Sequence, residues 1–189
     1  MASTTSDPDV SWHKEATSSL LTAMENNHPV EIASLELNGL RMTANANWHQ
    51  VRRAICSALL SRIEQLVAND KYTNGKAAEK VLNDWKSLIK RAVHEKADQI
   101  DLLACVQTEC LNRKDGASLL LNVVQRLYDP LDLAEEAAVL KWWANEEGGE
   151  KVLAVREKTK AFITWLQEAD EEGSDEESEE ESEEESDDE

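Results

Sequence analysis

Apolar residues recur every three or four positions along most of this chain, the spacing that places them on one face of a helix. The clearest stripe crosses residues 47–69 and consists of Trp48, Val51, Ile55, Leu59, Ile63 and Leu66. Asn47, followed three residues later by Gln50, is typical of a capping box at a helix start. A second stripe crosses 117–127, and the Asp129-Pro130 step predicts its end. These patterns favour an all-α protein.

The periodicity predicts about eight helices, at 8–26, 29–43, 47–69, 74–94, 97–113, 116–128, 132–146 and 150–170. We expect Asp132 and Glu135 to cap the seventh helix, and Gly148-Gly149 to separate it from the eighth. Short connections make consecutive helices antiparallel neighbours, and pairs of about 42 residues fall within the HEAT and armadillo range. The expected fold is a right-handed stack of antiparallel helix pairs. A compact irregular bundle stays open, because no residue-level repeat is visible.

Charge is concentrated at the C-terminus. The formal net charge is −19, and 16 of the 39 carboxylates lie between Glu168 and Glu189, where there is no Lys or Arg. We therefore expect a disordered stretch at 1–7, a helical domain over 8–170, and a disordered acidic tail at 171–189. Four tail serines precede an acidic residue by three positions, which suits an acidophilic kinase, or they simply interrupt the tail: Ser174, Ser178, Ser182 and Ser186.

Several classes of function are excluded by composition. The acidic balance argues against direct nucleic-acid binding and favours basic partners. No apolar run is long enough to span a membrane and no signal peptide is visible, so we expect a cytoplasmic protein. The three cysteines, Cys56, Cys105 and Cys110, form no CxxC pair and are expected to be buried thiols rather than metal ligands. No nucleotide-binding or catalytic motif is present, so we expect no bond-making chemistry and no bound cofactor.

Large residues off the core stripes are the candidate recognition sites. On the last helix, Val155, Thr159, Phe162 and Leu166 mark the buried direction, and Trp165 lies on the flank. On the preceding helix the expected stripe is Leu133, Ala137, Leu140 and Ala144, with Trp142 about opposite and Trp143 at its edge. These tryptophans are either exposed or packed on the second side of a stack. Nearby acids would attract a lysine-rich peptide: Glu135, Glu136, Glu168, Asp170, Glu171 and Glu172.

The second predicted helix also carries large residues that lie off its core stripe. Its stripe of Val30, Ala33, Leu37 and Leu40 leaves Leu35, Asn38 and Met42 on the far side and Glu36 on the flank. Either this helix packs on both sides, or its far side is a surface that binds a partner.

Three segments together resemble a known family. They are Ala23-Met-Glu-Asn-Asn-His28 with Leu35-Glu-Leu-Asn-Gly-Leu-Arg-Met42, then Val139-Leu-Lys-Trp-Trp143, then Phe162-Ile-Thr-Trp-Leu-Gln-Glu-Ala-Asp-Glu-Glu172. The first resembles the start of the C-terminal W2, HEAT-type domain of the epsilon subunit of eukaryotic translation initiation factor 2B, in a fungal-like version. The other two resemble the aromatic and acidic boxes of that family, which initiation factor 5 also carries.

The resemblance implies a guanine nucleotide exchange factor that releases GDP from the gamma subunit of initiation factor 2. It places the essential glutamate of a leucine–glutamate pair at Glu36, with Leu35 beside it, and a second essential site at Trp165. Asn38 is a further candidate for partner binding. The boxes, including Leu166, are expected to bind lysine-rich blocks of the beta subunit. Nucleotide and magnesium would be bound by the partner GTPase. The other domains of the epsilon subunit have no counterpart here, so we expect a catalytic fragment, with other subunits of factor 2B as partners of the full-length protein and possible competition from initiation factor 5.

Two other classes of function stay open. The first is a non-catalytic adaptor like the C-terminal domain of initiation factor 5, which would bind the same lysine-rich segments. The second, suggested by charge alone, is an acidic chaperone for histones or other basic proteins.

Overall fold

The computed structural model describes residues 8–69, 72–145 and 148–169, and all regular elements in these ranges are helical. The elements are α1 (Pro8–Glu25), α2 (Val30–Ala44), α3 (Trp48–Ala68), α4 (Asn74–Asp84), α5 (Lys86–Arg91), α6 (Lys96–Cys110), α7 (Gly116–Tyr128), α8 (Glu136–Trp143), α9 (Gly149–Arg156), a 3₁₀ turn (Glu157–Thr159) and α10 (160–169). Among these described helices, none is both long and apolar enough to cross a membrane.

The helices are arranged in two layers of antiparallel pairs. One layer runs α1, α3, α6 and α8, each in contact with the next. The second layer runs α2, then α4 with α5, then α7, then α9 with the 3₁₀ turn. Contacts between layers join α1 to α2, α3 to α4 and α6 to α7. This pattern confirms the all-α, HEAT-like expectation, because each inner helix packs against its own pair and against the next pair.

Helix α3 lies at the centre of the stack and follows the sequence prediction closely. It contacts α1, α4 and α6, and ten of its residues are buried. The predicted capping box is present: the Gln50 amide N–H donates to Asn47 Oδ1 at 2.9 Å, and the Asn47 N–H donates to Gln50 Oε1 at 2.7 Å. Two amide donors of the helix start are thereby satisfied.

A buried arginine ties α3 to α6. The Arg52 guanidinium donates to Asp98 Oδ1 at 2.7 Å, to Asp101 Oδ2 at 2.5 Å and to the Ala92 carbonyl at 3.0 Å. Burial alone would raise the pKa of Asp98, but amide donors from His94 and Glu95 and the Arg52 charge outweigh it, so this pKa lies below its ordinary value. The carboxylate therefore stays ionised and the ion pair persists at neutral pH.

Four predicted boundaries were wrong. The 74–94 helix is divided at Trp85, whose backbone (φ −110°, ψ 12°) leaves helical geometry and lets α4 and α5 each bury their apolar side chains. The 97–113 helix ends at Cys110, before a turn. Residues expected to open the 132–146 helix instead close α7, since the Leu133 and Ala134 N–H groups both donate to the Leu127 carbonyl. Asp132 has φ +54° and caps nothing, and the 3₁₀ turn interrupts the last predicted helix.

Some predictions lie outside the described residues. They are the disordered stretches at 1–7 and 171–189, the acidic positions Asp170, Glu171 and Glu172, and the candidate phosphorylation sites Ser174, Ser178, Ser182 and Ser186.

The capping box provides a test of local stability. We expect Asn47→Ala to lower the free energy of unfolding by about 1 kcal/mol, because one amide donor at the start of α3 loses its acceptor. Urea unfolding followed by circular dichroism measures the change. Asn26→Ala, at an exposed position whose side chain makes no recorded bond, is the control. Equal midpoints for the two variants would contradict a stabilising role for the cap.

Candidate functional site

The far side of α2 is a surface of exposed apolar side chains. Leu35 is 70% exposed and Met42 68%, whereas Ala33 and Leu37 on the opposite side are buried. Helix α2 packs mainly on α1 and α5, and Leu35 lies at the edge that faces α5, where the described residues leave an open groove. The expectation that Leu35, Asn38 and Met42 lie away from the core is thus confirmed by their exposure. Exposed apolar side chains on a rigid helix are suited to a partner contact.

Glu36 lies on the flank of this surface, towards α1. It is exposed, and its closest recorded contact is the Ser19 hydroxyl, 3.5 Å from Glu36 Oε2. It forms no ion pair with any residue in the described ranges. The carboxylate is therefore available to a cationic group on a partner. Asn38, one turn away from Leu35, accepts a hydrogen bond from Arg41 Nε at 3.2 Å.

A second exposed surface lies on the last helix and is aromatic. Trp165 is 54% exposed and stacks on Phe162, with ring centroids 6.0 Å apart and planes 22° apart. Phe162 in turn meets Tyr128 of α7 edge-on at 5.8 Å. We call Tyr128, Phe162 and Trp165 the aromatic shelf; with Asp129 and Lys158 they line one open pocket between α7 and α10, and the Lys158 ammonium donates to the Ser118 hydroxyl. Trp165 was predicted from sequence, whereas Tyr128 and Asp129 were missed because they belong to a different pair.

The predicted contact through Leu166 was wrong. This side chain is fully buried, because the position one residue after Trp165 on the helix points into the core. Glu168 is exposed, as a carboxylate that contacts a basic partner must be.

The first of the two expected aromatic and acidic boxes, Val139-Leu-Lys-Trp-Trp143, lies mostly in the interior of the stack. Trp142 is 2% exposed, so its predicted direct contact with a partner was wrong, and Trp143 is half-buried. The stripe expected on α8 was also wrong, since Ala138, Val139 and Trp142 are the buried positions. Helix α8 packs on α6 through this side. A short helix rich in alanine offers two plausible stripes, and contact with α6 decides between them.

The acidic neighbours of this box differ in exposure. Glu135 is exposed and Glu136 half-buried. The Glu135 backbone N–H donates to Gln99 Oε1 at 2.9 Å, which anchors the start of α8 to α6.

The aromatic rings of this box hold a cation from the same chain. The Arg156 guanidinium lies 5.0 Å from the centroid of each ring, Trp142 and Trp143. It also donates to Gln107 Oε1 at 2.6 Å, to the Trp143 carbonyl at 3.0 Å and to the Trp142 carbonyl at 3.2 Å. The arginine thereby satisfies two carbonyls at the end of α8 and joins α6, α8 and α9. Nothing in the spacing of the sequence identifies this arginine.

One group of potential metal ligands lies between α3 and α6. His49 Nδ1, Asp101 Oδ1 and Cys105 Sγ are within 4.8 Å of one another. Asp101 already pairs with Arg52, and its other oxygen lies 2.7 Å from His49. Burial raises the pKa of the Cys105 thiol to about 12, with the Asp101 charge adding to it, so the thiolate is disfavoured. The arrangement is better suited to an ion-pair network than to binding a cation. All three cysteines are free and buried.

Comparisons with known protein sequences are consistent with the helical domain described above. The profile of the family described as W2, eIF4-gamma/eIF5/eIF2-epsilon, matches residues 98–177. The translation initiation factor eIF2B subunit epsilon of Schizosaccharomyces pombe is 37% identical over 163 residues, which are 85% of this chain and 23% of that protein. The subunit of the same name from Dictyostelium discoideum is 24% identical over 172 residues, 88% of this chain and 24% of that protein.

Residues 98–177 thus match the W2 family, and the described residues form a HEAT-like helical stack. Over most of its length it is similar to the epsilon subunit of eukaryotic translation initiation factor 2B, which confirms the resemblance inferred from the sequence. The chain spans about a quarter of the length of these relatives.

The Arg156 contacts predict a large effect from a substitution that keeps the charge. We expect Arg156→Lys to lower the free energy of unfolding by about 2 kcal/mol, because a lysine cannot reach Gln107 and both carbonyls together. Thermal or urea unfolding measures it. The control is Arg126→Lys, whose recorded contact is a surface ion pair with Glu79, and less than about 1 kcal/mol is expected there. Comparable losses in the two variants would contradict the structural role given to Arg156.

Proposed function

We propose that this chain is a guanine nucleotide exchange factor domain that promotes GDP release from the gamma subunit of translation initiation factor 2. The observation that supports it most is the exposure of Leu35 and Glu36 together on one rigid helix. The resemblance implies that the glutamate of this pair is essential for exchange. The similarity to the epsilon subunit over most of the chain supports the same assignment.

Exchange requires a preference for one state of the GTPase. A factor accelerates GDP loss only by binding the open or nucleotide-free GTPase better than the closed one. The Glu36 carboxylate could pair with a lysine that otherwise holds phosphate, or it could disfavour the phosphate–Mg²⁺ arrangement by its charge. Both routes need an exposed carboxylate without an internal cation, which describes Glu36. Nucleotide and Mg²⁺ would remain on the GTPase, and this chain would need no cofactor.

Docking of lysine-rich segments of the beta subunit is assigned to the aromatic shelf. The exposed ring of Trp165 offers a surface for aliphatic lysine stems, and Asp129 and Glu168 offer carboxylates for their ammonium groups. Trp142 and Trp143 take no direct part, since Arg156 already occupies the position of a bound cation between their rings. The acidic character of the chain would speed association with such partners.

The wider setting of this function follows from the relatives. We propose that the protein acts in the cytoplasm with other subunits of initiation factor 2B. Initiation factor 5, through its related domain, would compete for the same lysine-rich segments.

A GDP-release assay tests the exchange proposal. We expect Glu36→Gln to reduce the acceleration of GDP release by at least about tenfold, a loss of roughly 1.4 kcal/mol of transition-state stabilisation. Labelled GDP bound to purified initiation factor 2 provides the measurement. Glu31→Gln is the matched control, because Glu31 is an exposed glutamate on the same helix and the change in charge is identical.

The alternative function is a non-catalytic adaptor, which the aromatic shelf alone would support. It predicts that the unsubstituted chain binds factor 2 yet leaves the GDP-release rate unchanged. That result would end the catalytic proposal and retain the docking one.

The docking assignment has its own test. We expect Trp165→Ala to weaken binding of a lysine-rich peptide by about tenfold, because an exposed tryptophan at the centre of such a contact contributes much of its energy. Fluorescence anisotropy of a labelled peptide measures the affinity, with Trp48→Ala as a control at a partly exposed tryptophan of α3 that does not line the pocket of the shelf. Undiminished binding of polylysine by Trp165→Ala, with loss only at high salt, would favour the acidic chaperone instead.

A further inference from the structure

A groove beside Leu35 combines an apolar lining with basic side chains. Its floor is Val51 and Ile55 of α3, and its sides are formed by α2 and α5; we call it the α2–α5 groove. Among the described residues that line it, the only charged ones are Arg41 and Arg91. No carboxylate lines the groove, although the chain as a whole carries a net charge of −19.

One wall of the groove is held in place by contact between Arg41 and the Trp48 ring. The Arg41 guanidinium lies 4.9 Å from the centre of the Trp48 ring, and its Nε donates to Asn38 Oδ1. The Trp48 ring, 40% exposed, also meets His94 edge-on at 5.5 Å. The wall is therefore positioned before a partner arrives, which lowers the conformational entropy that binding costs.

The second arginine is available to a ligand. Arg91 is the last residue of α5, is exposed, and forms no ion pair with a described residue. With Arg41 it places two guanidinium groups at an apolar groove. Guanidinium groups bind carboxylates in paired hydrogen bonds.

We propose that the α2–α5 groove binds a protein segment in which an apolar anchor residue is flanked by carboxylates. The anchor would pack on Leu35, Trp48 and the α3 floor, and the carboxylates would pair with Arg41 and Arg91. Leu35 and Glu36 then have different roles. Leu35 packs against this segment, whereas Glu36, which lies towards Ser19, binds a cation on the partner. This adds a contact to the proposed exchange function without depending on GDP release.

Other anionic occupants fit less well. The acidic tail of this chain, residues 173–189, has no apolar residue to fill the floor. A nucleic acid would extend beyond two arginines into the field of an acidic protein, and that field repels phosphates. A short partner segment with few carboxylates avoids that repulsion.

Peptide binding to the full chain tests the proposal. The probe is a short fluorescein-labelled peptide in which a Leu-Phe pair is flanked by glutamates. We expect saturable binding that weakens by about tenfold with Arg91→Glu, since one attraction becomes a repulsion. Lys76→Glu, an exposed position on α4 with the same change in net charge, should leave the affinity unchanged. Glu36→Gln should also leave it unchanged, which separates this proposal from the exchange function.

The two chemical parts of the ligand are tested separately. A peptide with serines in place of the Leu-Phe pair, and one with lysines in place of the glutamates, should each bind at least about tenfold more weakly. Equal binding of either peptide, or equal effects of Arg91→Glu and Lys76→Glu, would overturn the proposal. Displacement of the probe by an unlabelled peptide of residues 170–189, or by a short single-stranded oligonucleotide, would also overturn it in favour of those occupants.

Discussion

The structure depends on one packing constraint, which is that an inner helix of a two-layer stack must bury two sides while an end helix buries one. Helix α3 meets the constraint fully, with contacts to α1, α4 and α6 and ten buried residues. Helix α2 belongs to the first pair and leaves Leu35 and Met42 in solvent. At the other end, α10 leaves Trp165 exposed. Within the described residues, Leu35 lies at the rim of the α2–α5 groove and Trp165 beside the pocket between α7 and α10, so both candidate surfaces are open sides of the stack.

Arginine is used differently inside the stack and on its surface. Arg52 and Arg156 are buried and join helices through carboxylates, carbonyls and ring faces, where planar guanidinium groups make several bonds at once. Both acidic and basic side chains are exposed on the described surface, and the excess of acid lies in the C-terminal segment. Arg41 and Arg91 lie together at one apolar groove that no carboxylate lines. The two signs of charge on separate surfaces let one small domain contact chemically different segments.

Sequence reasoning succeeded where a helix had a single, long apolar stripe. On α3 and α7 the stripes follow from local pattern, apart from Trp48, which is 40% exposed, and so do the Asn47 cap and the end near Pro130. It also located the exposed side of α2, because one stripe of four residues leaves the opposite side without apolar packing. It failed on α8, where both sides carry apolar residues over eight positions. Packing against the neighbouring helix α6, and not the spacing of apolar residues, determines which side of α8 is buried. Trp142 therefore lies in the core and not on the surface.

The sequence by itself determined the all-α class, about half of the helix spans, the separation of charge along the chain, and the exposure of Leu35, Glu36 and Trp165. These features depend on residues near one another in sequence, where spacing and capping chemistry are sufficient evidence. Tertiary structure alone decided that Arg156 enters between Trp142 and Trp143, that Tyr128 and Asp129 join Trp165, and that Arg41 and Arg91 share a groove. Each of these groupings brings together side chains from different helices, and their distances are set by how the pairs stack, which no local periodicity encodes.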